Sequence, residues 1–286
     1  MENIVRTVYG ADVQSCEFIN APLVIQPNTT LNQKFNFQAT GVLPPNAYPS
    51  LGYIAIGNGG HSMSVGVGGI PAPLYIPHYP TDAALYNHLP FVLRLPTNDL
   101  TVAQQASYRG RTMVTIAGTQ YVAYYLKTLV PVTLPVTPVP TPSIQSNSLL
   151  NGVTTSTPFV PSVANLSPTP PTIAQQQAVA TSGNYVSVSA PFSIVLSAFD
   201  VVELVNVSNI MYGSPNFAII SEVALCTGYD ASVTGAFGSA ATVTYTEALA
   251  VQVAVHGNDF KLLTNSTSGV TLNIDVGASA PMLALV

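Results

Sequence analysis

Between Pro131 and Pro171 the chain carries ten prolines in 41 residues, including Pro138-Val-Pro140-Thr-Pro142 and Pro168-Thr-Pro170-Pro171. Proline fixes φ and lacks a backbone N–H, so neither a helix nor a central strand is expected to run through this segment. It reads as an extended arm over 131–175, which in polyproline-like form would reach about 130 Å at roughly 3.1 Å per residue. A flexible tether ordinarily carries charge and few apolar residues. Here nothing between Lys127 and Asp200 is charged, while Val, Leu, Ile and Phe159 recur. The arm is therefore expected to pack against protein, with Pro131, Pro135, Pro138, Pro140, Pro142, Phe159, Pro161, Pro170 and Pro171 as partner contacts. The domain reading is one co-folded β-rich unit over 1–286, made of an N-terminal part (1–130), the arm (131–175) and a C-terminal β part (176–286). Two β domains joined by the arm are the alternative.

Charge is scarce along the whole chain. Seven Lys+Arg and 12 Asp+Glu make 7% of 286 residues, against roughly 25% in ordinary soluble chains. A folded monomer of this size exposes roughly 12,000 Å², about one charged side chain per 600 Å². So thin a charge cover favours association. Arg6, Lys34, Arg94, Arg109, Arg111, Lys127 and Lys261 are scattered and form no basic run, so no nucleic-acid partner is expected. No stretch of about 18 apolar residues occurs, and no membrane insertion is expected. The start, Met1-Glu-Asn-Ile-Val-Arg6, has no basic region followed by an apolar one, so no secretory signal is expected and synthesis is placed in a cytoplasm. Cys16 and Cys226 lie 210 positions apart, a spacing that suits two buried free thiols rather than a metal or redox pair.

The periodicity is that of β structure. Residues 51–56 form a strand-like run closed by Gly57-Asn58-Gly59-Gly60, and 111–116 with 119–126 flank Ala117-Gly118 as a hairpin. Further strands are predicted over 185–189, 192–196, 201–207, 217–225, 241–246, 248–256 and 270–276. Thr242, Thr244 and Thr246 alternate with Val243 and Tyr245, so a neutral hydroxyl takes the side where a charge is commoner. Two short helices are predicted, one from Thr81 toward Pro90 and one from Thr101 to about Tyr108. The fold class is mainly β, an antiparallel sandwich or jelly-roll-like arrangement.

No motif rises to a chemical constellation. Gly60-His61-Ser62-Met63-Ser64 approximates a nucleophile elbow, but Ser64 stands where glycine belongs and the following Val65-Gly-Val-Gly-Gly-Ile-Pro71 is a poor helix. His61, His78, His88 and His256, with Asp82 or Asp259, could ligate a metal or move protons, yet no pair has a ligand spacing, and a hydrogen-bonded structural role is expected. Gly57-Asn-Gly59 and Gly66-Val-Gly68-Gly69 contain half a dinucleotide fingerprint without a βαβ unit around it, and read as turns. Asp200, Glu203, Glu222 and Asp230 offer carboxylate pairs, but their spacing defines no shared site. Tyr121, Tyr124 and Tyr125 are assigned to packing or interfaces. No catalytic residue, metal or cofactor is expected, and the chain reads as a non-enzyme.

Three strings carry a resemblance: Tyr53-Ile-Ala-Ile-Gly-Asn-Gly-Gly-His61, Thr81-Asp-Ala-Ala-Leu-Tyr-Asn-His-Leu-Pro-Phe-Val-Leu-Arg94 and Ile219-Ile-Ser-Glu-Val-Ala-Leu-Cys-Thr-Gly228. Together they resemble virion structural proteins of tailed bacteriophages, chiefly the long-genome contractile-tailed ones. The resemblance implies a copy-repeated particle component located in the virion, a homo-oligomer in contact with copies of itself and with other virion proteins. Neck or tail is preferred to capsid. A β-sandwich receptor-binding or adhesin module is the alternative reading, and a polymer hydrolase using Ser62 or a carboxylate pair is the third.

Overall fold

A computed structural model describes residues 2–37, 43–45, 47–65, 71–129, 143–150, 153–158, 183–237, 241–263 and 268–281. The fold is mainly β with antiparallel sheets, as the alternation predicts. The chain divides into two compact units, Met1–Val136 with Ile194–Leu272, and Thr137–Ser193 with Asn273–Val286.

The first unit is built on an eight-stranded sheet. Its strands are β1 (Glu2–Arg6), β2 (Ser50–Gly57), β5 (His88–Leu89), β6 (Val92–Arg94), β7 (Tyr108–Ile116), β8 (Thr119–Thr128), β12 (Ile219–Phe237) and β13 (Ala241–Leu262). The order runs β1-β13-β12-β2-β8-β6, with β5 beside β2 and β7 beside β8. A separate hairpin joins β3 (His61–Val65) to β4 (Pro71–Tyr75). Strand β2 pairs with β12, so residues more than 160 positions apart in sequence lie side by side at the centre of the sheet. Here β2 is buried along 53–57, which is why its apolar run is continuous instead of alternating. Tyr53, Ala55, Leu93, Ala123, Tyr125, Leu126, Ala224, Cys226, Val251 and Val253 form the core with Leu31, Phe37 and Val207.

The β7–β8 hairpin forms as predicted. Ile116 pairs with Thr119, and Ala117 and Gly118 both take positive φ, 47° and 80°, the requirement of the tight turn whose twist matches the strands. The two strands expected over 241–246 and 248–256 are one strand, β13. A register shift opposite Thr227/Tyr229 and a left-handed Ala250 (φ 51°) absorb the break, as an irregularity in a long ladder does.

Helices are where the sequence reading needs correction. Residues 201–207 are not a strand but belong to helix α4 (Ala198–Tyr212), which follows α1 (Val8–Ile19), α2 (Leu31–Phe35) and α3 (Val102–Gln105). Its start is a capping box between Ser197 and Asp200, and Gly213 closes it with φ 69°. Val201, Leu204 and Val207 are buried at helical spacing, three and three apart, within a run that is apolar enough to pass for strand. The Thr101 helix exists as α3, with a Thr101/Gln104 capping box. The Thr81 helix does not form. The Tyr86 and Asn87 amides donate to the Glu222 carboxylate instead of to carbonyls four residues back, so the segment stays a turn.

The second unit is a four-stranded sheet ordered β10-β9-β11-β14, from β9 (Ser143–Leu150), β10 (Val153–Pro158), β11 (Gly183–Leu196) and β14 (Val270–Pro281). The last two strands extend from the first unit's residues. This corrects the expectation of a uniformly extended arm, because a central strand, β9, does run between Pro142 and Pro158, in the proline-free window.

Candidate functional site

The most densely connected polar group in the first unit is the Glu222 carboxylate, fully buried on β12. Its Oε1 accepts the amides of Gly59 (2.9 Å) and Asn87 (2.8 Å), and its Oε2 accepts the amide of Tyr86 (2.9 Å) and His78 Nε2 (3.0 Å). Four donors on one carboxylate are what a buried charge requires. Burial pushes this carboxyl up, but the bonds from His78 and the three amides outweigh it and hold it below the ordinary glutamate value.

The glycines of Gly57-Asn-Gly-Gly60 explain themselves here. A Cβ on Gly57 would lie 2.5 Å from Glu222 Oε1 and one on Gly59 would lie 2.9 Å from it, so only a bare backbone lets the amide reach the carboxylate. The half-fingerprint does cradle an anion, and that anion is the chain's own Glu222.

His78 is the second element. Its Nδ1 meets Asp82 Oδ2 at 3.0 Å, while Asp82 Oδ2 also accepts the Tyr79 amide. The ring is sandwiched between Tyr86 (4.1 Å, 10°) and His256 (4.0 Å, 10°). His256 Nε2 bonds the Asp82 carbonyl at 3.0 Å. Burial lowers His256 to about 4 and His88 to about 3, so both rings are neutral at pH 7. The geometry links an aspartate, a histidine and a glutamate in a line, but the line ends in backbone amides at Glu222, and Ser62 does not stand at it as a nucleophile. Ser62 lies mid-strand in β3, opposite Leu74 and exposed, not on a strand-to-helix turn. Among the described residues no group of three or more His, Cys, Asp or Glu is arranged to hold a metal.

The three strings that carry the resemblance meet at this point. Gly59 comes from the first, Asp82, Tyr86, Asn87 and His88 from the second, and Glu222 from the third, on strands that pair β5 to β2 and β2 to β12. Sequence reasoning found His78 and Asp82 as neighbours but gave no means of joining them to Glu222, 140 positions further on.

The other charges are also internal, and three share one design: a tyrosine hydroxyl and a cation on the same carboxylate. Tyr53 and Arg109 hold Asp230, Tyr108 and Lys127 hold Asp200, and Tyr124 and Arg111 hold Asp99. Arg94 takes Glu203 through two nitrogens. The carboxylates weighed as catalytic pairs are thereby separated: Asp200 and Glu203 lie one turn apart on α4 with different cations, and Glu222 and Asp230 lie at different places on β12. Glu247 is wholly buried and accepts the amides of Gly110, Arg111 and Ala248; burial raises it despite those bonds.

A cleft of about 260 Å³ opens beside these pairs, lined by Arg109, Arg111, Tyr124, Thr244, Tyr245 and Glu247 among others. Both guanidiniums already fork onto their carboxylates, so this wall presents chiefly hydroxyls. Of the remaining candidates, His61 packs edge-on against Phe260 (4.9 Å), Asp259 lies 3.7 Å from Lys261, Cys226 is a buried free thiol and Cys16 a half-buried one. Tyr125 stacks on Phe35 at 4.0 Å in the core. The arm contacts Pro131, Pro135, Pro138, Pro140, Pro142, Phe159, Pro161, Pro170 and Pro171 lie outside the described residues, as do Gly66, Gly68 and Gly69.

No helix among the described residues is long and apolar enough to cross a membrane. No curated protein and no solved structure matches the chain. One family model does match, over residues 1–285, and the chain therefore belongs to DUF7208, a family of unknown function.

Proposed function

We propose that this protein is a structural component of a tailed-phage virion, built into the particle by repeated contacts with its own copies and with other virion proteins, in the neck or tail rather than the capsid. The observation that carries the reading is where the charge goes. Four of seven cations are committed to carboxylates within the fold, through Arg94–Glu203, Arg109–Asp230, Arg111–Asp99 and Lys127–Asp200. A composition already poor in charge therefore leaves an outer surface poorer still, and such a surface suits a chain that shares its faces with neighbours. The resemblance of the three strings supports the virion assignment, and their convergence on Glu222 gives them a common role in holding the sheet together. Nothing in that cluster places a reacting group against a substrate, so it is read as a structural lock.

The test is the native mass of the purified chain by light scattering, over a tenfold concentration range and at two salt levels. The expected result is a discrete multimer, or association that rises with concentration and survives salt. A monomer under every condition would overturn the self-assembling reading and favour the receptor-binding module, to be followed by assays of cell and glycan binding.

A further inference from the structure

The second unit draws attention because of what its sheet lacks. Its 71 residues, 137–193 and 273–286, contain a single charged side chain, Asp275. Strand β10 is an edge of this sheet, and among the described residues it pairs only with β9. All six of its residues, Val153-Thr-Thr-Ser-Thr-Pro158, are exposed, Val153 at 67%. The register with β9 runs unbroken from Val153↔Leu150 to Pro158↔Gln145, so no bulge turns the edge away. Natural edges are guarded by lysine, proline, bulges or inward charge. This one has no guard before Pro158.

We infer that β10 pairs antiparallel with β10 of a second copy, about a two-fold axis at Thr155. The inference rests on the assembly reading and names one of its contacts. An open strand edge is satisfied by another extended strand, since its recognition elements are backbone N–H and C=O groups. A second copy fits for two reasons. The edge presents no charge for an oppositely charged partner to find, while two chains of net charge −5 can approach here without like charges facing each other. The strand is also its own complement. When a strand pairs antiparallel with its own copy, opposed residues must turn their backbone groups the same way, so the axis passes through a residue and not between two. With the axis at Thr155 the pairs are Val153↔Thr157, Thr154↔Ser156 and Thr155↔Thr155, and Pro158, which has no N–H to give, falls just beyond the ladder. With the axis at Ser156, Pro158 would stand opposite Thr154 inside it. The first register sets hydroxyl against hydroxyl at its centre, a favourable cross-strand pair, and joins two four-stranded sheets into one of eight.

The register is tested with cysteines in the full chain carrying Cys16→Ser; Cys226 is buried. Thr155→Cys is expected to give a covalent dimer with a short thiol cross-linker, and Val153→Cys/Thr157→Cys together to do so more readily than Thr157→Cys alone. Thr155→Lys places two like charges on the axis and is expected to weaken self-association at least tenfold in sedimentation, with an unchanged circular dichroism spectrum. If the unmodified chain forms multimers but Thr155→Cys does not cross-link and Thr155→Lys assembles normally, this contact is overturned while the assembly reading stands. If the chain neither assembles nor cross-links at any concentration, both are overturned.

Discussion

At the scale of single residues, the chain spends its few charges on fixing its own backbone. Glu222 stitches three segments distant in sequence, so Glu222→Gln, which keeps the shape but turns one acceptor into a donor facing backbone amides, is expected to cost about 3 kcal/mol of stability. Urea denaturation monitored by fluorescence checks this, and a loss below about 1 kcal/mol would mean the carboxylate is dispensable. The same cluster sets an acid limit. His256 and His88 sit at about 4 and about 3 in the folded chain against 6.5 when exposed, so the unfolded state binds more protons as pH falls below about 6.5 and stability falls with it. Glu222, held below its ordinary value, contributes stability above the glutamate range that is lost as pH drops through and below it. Both effects act in one direction. The thermal midpoint is expected to fall steadily from pH 7 to pH 4, and His88→Phe to flatten the upper part of that slope. What the sequence disclosed here was the parts: four histidines, a glycine run and isolated carboxylates. The connection was invisible because hydrogen bonds across 140 residues follow from strand order, which periodicity does not encode.

At the scale of elements, short-range signals served well where they were local and failed where tertiary context decided. The Ala117-Gly118 hairpin and the Thr101 helix were legible because turn chemistry and a capping box act within four residues. The 201–207 run was read by its β-branched and apolar content, although Ser197, Asp200 and Gly213 flag a helix start and stop. Those caps are testable. Ser197→Ala removes the N-cap of α4 and leaves Asp200 with one hydroxyl fewer, and a loss of about 1 kcal/mol is expected, seen as a lower denaturation midpoint with unchanged slope. An unaltered midpoint would mean that packing of Val201, Leu204 and Val207 alone holds the helix. The arm was half legible: its prolines do bound the strands, but the eight-residue gap that admits β9 was overlooked because the segment was judged by its average composition.

At the scale of the whole molecule, the distribution of cations predicts how the native protein meets a protease. Arg109 and Arg111 have side chains only 3% and 2% exposed, and Arg94 and Lys127 are held in ion pairs. Arg6 and Lys34 are exposed. Native trypsin digestion followed by mass spectrometry is therefore expected to show cleavage after Arg6 and Lys34 well before cleavage at 94, 109, 111 or 127. Early cuts at those four would contradict the internal placement of charge on which the assembly reading depends.

The pairing of β2 with β12 has a further consequence, for biosynthesis. Strand β2 ends at Gly57 and β12 begins at Ile219, so the central ladder cannot close until the ribosome has delivered roughly 160 more residues. At about 5–20 residues per second that interval is roughly 8–30 s. Throughout it the apolar run Tyr53-Ile-Ala-Ile56 has no partner strand on its β12 side, and the nascent chain must be kept from pairing with its polysomal neighbours. The waiting time is a property of strand order alone, and moving β12 ahead of the second unit by circular permutation would shorten it without altering a single contact in the first sheet.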